Sequence, residues 1–148
     1  MIKWLLLALA TRTRNLGGSW TMERKMINSI DDLKVGTIFR CSWNGMADYY
    51  QLLAKTPKSV KLIEIDWETC APPDGEENDD PTYRWTRIKR DENGKAIPYV
   101  DSITGKTNVC VKRIINLPKG GITFKSPNYS GDAHVSIATN DYMQMYWG

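Results

Sequence analysis

The chain has 148 residues, of which 41% are hydrophobic and 25% charged, with 20 Lys+Arg against 17 Asp+Glu for a net charge of +3. That length suits a single domain, and the composition is too apolar for a disordered chain. No apolar run approaches the ~18 to 20 residues that a membrane-spanning helix needs, and one histidine with three scattered cysteines argues against a typical zinc site.

The first 21 residues hold Lys3, Arg12 and Arg14 and no acid; taking those three bases from 20 leaves 17 against 17 acids. The basicity therefore belongs to this leader. Its apolar stretch, Trp4 to Ala10, is too short for an ordinary secretory signal, and Met22 and Met26 follow it as alternative starts. The expectation is a leader over residues 1–21, disordered or not native to the fold, and a single β-rich domain over 22–148.

Ser29-Ile30-Asp31-Asp32 carries the spacing of a loose helix cap and is stopped by Gly36, so one turn of helix at most is expected. Thr37 to Trp43 alternates as a half-buried strand, and Asn44-Gly45 signals a hairpin turn. Asp48 to Ala54 returns as a second strand, with Tyr50, Leu52 and Ala54 on one face. After the Thr56-Pro57 turn, Val60 to Trp67 reads as a third strand rich in β-branched residues. The segment 68–81, with Pro72, Pro73, Gly75 and Pro81 among like charges, is a surface loop.

Tyr83 to Arg90 alternates again, with Tyr83, Trp85 and Arg87 opposite Arg84, Thr86, Ile88 and Arg90. Asp91 to Gly94 is a turn, and Lys95 to Val100 is demoted to an edge strand by Pro98. Val109 to Val111, Gly120 to Phe124 and Ala133 to Ile137 are further short strands. The tail from Tyr142 to Gly148 is aromatic and uncharged, and is expected to dock on the sheet. The predicted fold is mainly β: a small antiparallel, partly open barrel of SH3-like meander type with long loops and little helix.

Catalytic constellations are missing from the pattern. His134 lies in a strand-like run without a fixed triad. Cys41, Cys70 and Cys110 form no close-spaced pair, and buried free thiols suit a reducing compartment. No two acids can be nominated across a cleft. The acids Asp74, Glu76, Glu77, Asp79 and Asp80 lack EF-hand spacing. No enzyme activity, metal or other cofactor is expected.

Charge is segregated along the chain. From Glu68 to Asp80 there are six acids and no base, and from Thr82 to Lys119 nine bases against three acids. The plain reading is an acidic loop beside a basic sheet face. One functional reading makes Asp74, Glu76, Glu77, Asp79 and Asp80 a partner-binding surface. The alternative makes Arg84, Trp85, Arg87, Lys89, Arg90, Lys112 and Arg113 a nucleic-acid surface with aromatic stacking, to which Tyr49 and Tyr50 beside Lys55 could add.

The run Phe39-Arg-Cys-Ser-Trp43-Asn44-Gly-Met-Ala-Asp48-Tyr-Tyr50-Gln51-Leu, followed by Lys58-Ser-Val60 and the Glu64 strand, resembles a family of small bacteriophage and plasmid proteins. In that family an SSWGYDQTN turn precedes FYQV, a GK-V segment and a glutamate-bearing strand. Val111-Lys112-Arg113 is similar to its KRV stretch, and Tyr142 to Gly148, including Trp147, to its aromatic LWDG terminus. The turn here is shorter and lacks the Gln-Thr-Asn, and the acidic insert is longer. The resemblance implies a mobile-element origin and the cytoplasm of a bacterial host, but no reaction. The expected function is a non-catalytic binding protein, of the kind that inhibits a host defence complex (an anti-CRISPR type), with a host protein or ribonucleoprotein as partner.

Overall fold

The computed structural model describes residues 12–14, 20–22, 25–77 and 80–146. Most of the leader, Asp79 and Trp147 lie outside the described residues. Of the leader, the structure describes β1 (Arg12–Arg14) paired antiparallel with β2 (Trp20–Met22). Past it, Lys25 bridges to Ile137 and Ile27 to Ile122, and Ile27 is buried. Among the described residues, backbone bridges to the body thus begin at Lys25.

Near the start of the body, a single 3-10 turn spans Ile30–Asp32. The Asp32 carboxylate accepts the Asn28 and Ser29 backbone N–H groups at 3.0 and 3.2 Å, and Leu33 N–H already bonds back to Ile30. The local cap is satisfied, and Gly36 at φ 95 ends it.

The protein is mainly β, antiparallel and partly open, with no α-helix among the described residues. The larger sheet has five strands in the order β11-β3-β4-β5-β8. These are β3 (Ile38–Trp43), β4 (Met46–Lys55), β5 (Ser59–Ile65), β8 (Val109–Arg113) and β11 (His134–Ile137). The smaller sheet has three, ordered β12-β7-β6: β6 (Trp67–Thr69), β7 (Tyr83–Ile88) and β12 (Tyr142–Tyr146). A short pair, β9 (Ile115–Asn116) with β10 (Ile122–Thr123), lies apart from both. None of the described helical turns is long and apolar enough to cross a membrane.

Two apolar layers hold the large sheet. On one face Phe39, Cys41, Tyr50, Leu52, Val60, Leu62 and Val135 pack under Ile27, Leu33, Ile122 and Phe124. Phe39 meets Phe124 edge to face at 5.2 Å. On the other face Ile38, Ala47, Tyr49 and Ile65 pack against Ile88 and Met145 of the small sheet and against Ala96. Each such fully buried side chain contributes roughly 1.5–3 kcal/mol.

This double cover corrects three sequence expectations. β3 is not half-buried: five of its six residues are buried, because it is a central strand with a layer on each face. The third strand does not run through to Trp67. It breaks at Asp66, whose backbone N–H bonds to Ile97 and whose carbonyl accepts from Lys89, and there the chain leaves the large sheet for the small one. Lys95 to Val100 is not a continuous strand but a set of isolated bridges at Ala96, Pro98 and Val100, since Pro98 has no N–H to donate.

The β3–β4 hairpin turns at Asn44 (φ 43) and Gly45 (φ 79). Both are left-handed, which is what a two-residue turn between twisted strands requires. Gly45 is also needed for closeness: a Cβ there would lie 2.9 Å from Tyr146 Cβ, and Gly45 accepts the Tyr146 N–H at 2.9 Å. The aromatic tail is thus strand β12, seated against the hairpin tip, with Met145 fully buried.

Candidate functional site

The residues nominated for an acidic surface lie on the segment that follows β6. Asp74 and Gly75 form a turn closed by Glu76 N–H on Pro73 O. Asp74 and Glu77 are exposed and Glu76 is half-buried. Asp80 accepts the Thr82 N–H at 2.9 Å and its hydroxyl at 2.7 Å, bonds that hold its carboxyl below the usual range. The segment is anchored on the outer face of the small sheet. Trp85 Nε1 donates to Glu77 O at 3.4 Å, and a cavity of about 500 Å³ between them is lined by Cys70, Pro72, Pro81, Arg84 and Trp85.

That anchoring removes Trp85 from the nucleic-acid candidates. It is only 4% exposed, because the acidic segment lies over the face that alternation presents to solvent. Tyr49 and Tyr50 are fully buried between layers, so neither is open to stack on a base. The nominated cations are also divided and answered. Arg84, Arg87, Lys89 and Arg90 follow the small sheet, whereas Lys112 and Arg113 sit on β8 at an edge of the large one. Arg87 pairs with Glu68 at 3.2 Å, Lys89 with Asp66 at 3.0 Å and Arg90 with Asp141 at 2.7 Å. Three of the nominated cations thus have carboxylate partners in space.

Of the residues that carry the family resemblance, Asn44 makes the turn, and Gln51 Nε2 donates to Gly36 O at 3.1 Å. Trp43 is half-buried and stacks on Tyr129, with ring centroids 4.7 Å apart and planes at 11°. Tyr50 belongs to a cluster that the sequence did not single out.

That cluster follows from register. Cys41 lies opposite Asp48, Tyr50 opposite Glu64, and Leu62 opposite Cys110. Antiparallel neighbours share a face, so Cys41, Asp48, Tyr50, Glu64 and Cys110 all stand on the face that carries Phe39 and Leu62. Two asparagines close the rim. Asn108 Nδ2 donates to Glu64 Oε1 at 2.9 Å, Asn128 Nδ2 donates to the same oxygen at 2.8 Å, and Asn108 Nδ2 reaches Asn128 Oδ1 at 3.1 Å.

The electrostatics of this recess are unusual. Burial, the neighbouring Glu64 charge and only a partly offsetting hydrogen bond from Asn128 push the Asp48 carboxyl up to about 6. Burial pushes the Cys41 thiol up to about 12, which keeps it protonated and poorly nucleophilic. Burial and the two carboxylates raise Tyr50 as well. The Tyr50 hydroxyl is buried with no hydrogen-bond partner, as is that of Ser126.

Chemically, the recess is a pair of half-buried carboxylates beside a neutral phenol, with an aromatic pair at its strand-end side. The histidine stands apart from this cluster. His134 lies opposite Ser42, which points to the other face of the sheet, and is exposed. Among the described residues, no group of three His, Cys, Asp or Glu is placed to hold a metal ion.

Sequence reasoning nominated no paired carboxylates, yet a signal was present. Asp48 precedes Tyr50 and Leu52 on an apolar face, and Glu64 follows Val60 and Leu62 on another. An acid at an inward position of each of two neighbouring strands marks a meeting point once the pairing is known. No protein-family model, no curated protein and no solved structure matches the chain.

Proposed function

We propose that the chain is a non-catalytic binding protein that covers a positively charged surface of its partner with the acidic segment at 68–81. The observation that supports this is the imbalance of pairing. Of the cations that follow this segment on β7 and beyond it, Arg87, Lys89 and Arg90 are held by Glu68, Asp66 and Asp141. Asp74 and Glu77 stay exposed, with no cation at ion-pair distance among the described residues. Exposed carboxylates such as Asp74 and Glu77, on a segment tied to the sheet through Trp85, complement a groove built for phosphates. The resemblance to phage and plasmid proteins gives the reading its biological form: a mobile-element product in the bacterial cytoplasm that blocks a host defence complex.

The test is capture of partners from bacterial lysate, with and without nuclease, by the full chain and by the Asp74→Ser/Glu77→Ser variant. Both positions are exposed, so the variant should keep its fold. A partner protein retained after nuclease treatment, released by salt and lost from the variant is the expected result. Retention by the variant at undiminished strength, or capture that vanishes with nuclease, would remove the acidic-surface reading.

A further inference from the structure

We propose that the recess formed by Asp48, Glu64, Tyr50 and the Trp43–Tyr129 stack is a binding site for a guanidinium group, supplied by an arginine side chain of a partner polypeptide. The inference rests on the reading that the protein works by binding, but it uses residues separate from the acidic segment.

Three features converge. Register sets two carboxylates diagonally on one face of β4 and β5, and partial burial keeps them from full solvation. The rim amides Asn108 and Asn128 both occupy the same oxygen, Glu64 Oε1; Glu64 Oε2 has no hydrogen bond from a described residue. A carboxylate with one oxygen tied down and one free is oriented for a donor from outside. Tyr50, two residues from Asp48 on β4 and opposite Glu64 on β5, carries a hydroxyl that is buried and unpartnered, on a residue 0% exposed. A buried hydroxyl without a partner is costly, and native structures keep few of them. A ligand N–H that entered beside Glu64 would give this hydroxyl a partner.

The aromatic pair distinguishes a guanidinium from other cations. Trp43 is a diagonal neighbour of Asp48 on the same face and lies nearly parallel to Tyr129, both rings half-buried, so aromatic surface adjoins the acids. A planar, weakly hydrated guanidinium stacks on such a surface while its edge reaches a carboxylate; an ammonium is a hydrated point charge with no plane to stack. A hard divalent ion would want more oxygen ligands than two half-occupied carboxylates supply.

Acid should weaken the site, because Asp48 gains its proton near pH 6. Asp48 is faced by Cys41 from β3, Tyr50 from its own strand, Glu64 from β5 and Asn128 from the loop before β11, and β8 adds Cys110 and Lys112 farther along the same face. Of these only Glu64 is another carboxylate.

The full chain would be titrated with N-acetyl-arginine amide, followed by amide chemical shifts and by tryptophan fluorescence. Saturable shifts at Trp43, Asp48, Glu64 and Tyr129 are expected, weakening at pH 5. Glu64→Gln should cut affinity about tenfold or more, as the loss of a charged hydrogen bond does. Tyr50→Phe should lower affinity several-fold without lowering the thermal midpoint, since the hydroxyl has no partner in the free protein. The Asp74→Ser/Glu77→Ser variant should bind the probe normally, so the recess and the acidic segment can fail separately. Absence of saturable shifts overturns the proposal. So does equal or tighter binding of N-acetyl-lysine amide or of calcium chloride at the same residues, and so does a Tyr50→Phe variant that loses stability while binding the probe unchanged.

Discussion

The strand pair β6–β7 and the strand pair β4–β5 handle charge in opposite ways. On β6–β7 the cations Arg87 and Lys89 find Glu68 and Asp66, and Arg90 beyond the strand finds Asp141. On β4–β5 the acids Asp48 and Glu64 stand on one face with asparagines for company. The first region was the more charged in sequence and is the quieter in space. The second carries two isolated acids in apolar strands, and there the fold leaves an electrostatic cost in place. A charge run says little until register assigns each member a neighbour, whereas one acid at an inward strand position already implies either a partner or a penalty.

A third way of holding charge lies between the sheets. Arg40 is 5% exposed and donates to Tyr49 Oη at 3.1 Å and to the Asn140 and Tyr142 carbonyls at 3.3 and 3.4 Å. Its guanidinium also lies 5.3 Å from the Tyr49 ring centroid. It ties β3 to the connection that leads into β12. Arg40→Ala should therefore be the largest single effect, about 3 kcal/mol or more lost in chemical denaturation, because three buried acceptors lose a charged donor. A loss no greater than that of an exposed arginine would mean that the carbonyls find other partners and that the tie is dispensable.

The carboxylate pair gives the next effect, and its sign is opposite. A free aspartate titrates near 3.8, and burial beside Glu64 pushes Asp48 up to about 6 in the fold. The folded state then holds the proton more tightly than the unfolded state between those values. Stability should rise as pH falls through about 6 toward 3.8, and the ionised form should burden the fold above 6. Asp48→Asn should stabilise the protein by on the order of 2 kcal/mol at pH 8, fading to nothing near pH 4. Thermal unfolding of both proteins at the two pH values checks this. A gain independent of pH would assign the effect to packing and leave the Glu64 neighbour without consequence.

The paired cations should matter least. Arg90 makes a two-pronged contact, Nε to Asp141 Oδ2 at 2.7 Å and Nη2 to Oδ1 at 2.9 Å. Arg90→Ala should cost about 1 kcal/mol, less at high salt. Arg87→Ala, on a side chain 50% exposed, should leave the midpoint unchanged within error. If Arg87 proved as costly as Arg90, the two-pronged geometry would not be what separates them.

Much of the architecture was legible. The Asn44-Gly45 turn, the β4 and β5 strands and the uncharged tail follow from local rules: positive φ at a tight turn, alternation, and the penalty for an exposed apolar strip. Less legible were the features that depend on who lies opposite. Val60 to Trp67 reads as one strand because every residue in it suits a strand; the break at Asp66 is imposed by the backbone of Ile97 and Lys89. Trp85 alternates with Arg84 as a solvent-facing residue would, and its burial comes from the segment that folds back over it. Asp48 and Glu64 are 16 positions apart, and nothing local announces that they share a face.

From residue order alone came the class of the protein: β strands with short turns, a single 3-10 turn, no histidine-centred catalytic pattern, and charge that alternates in sign by segment. These are consequences of side-chain period and backbone freedom, which act over a few residues at a time. Tertiary structure decided which charges cancel and which do not, since Coulomb attraction and desolvation depend on distance and burial. That is why three cations of the basic run gained carboxylate partners, and why two acids far apart in the sequence came to share a face beside a buried phenol.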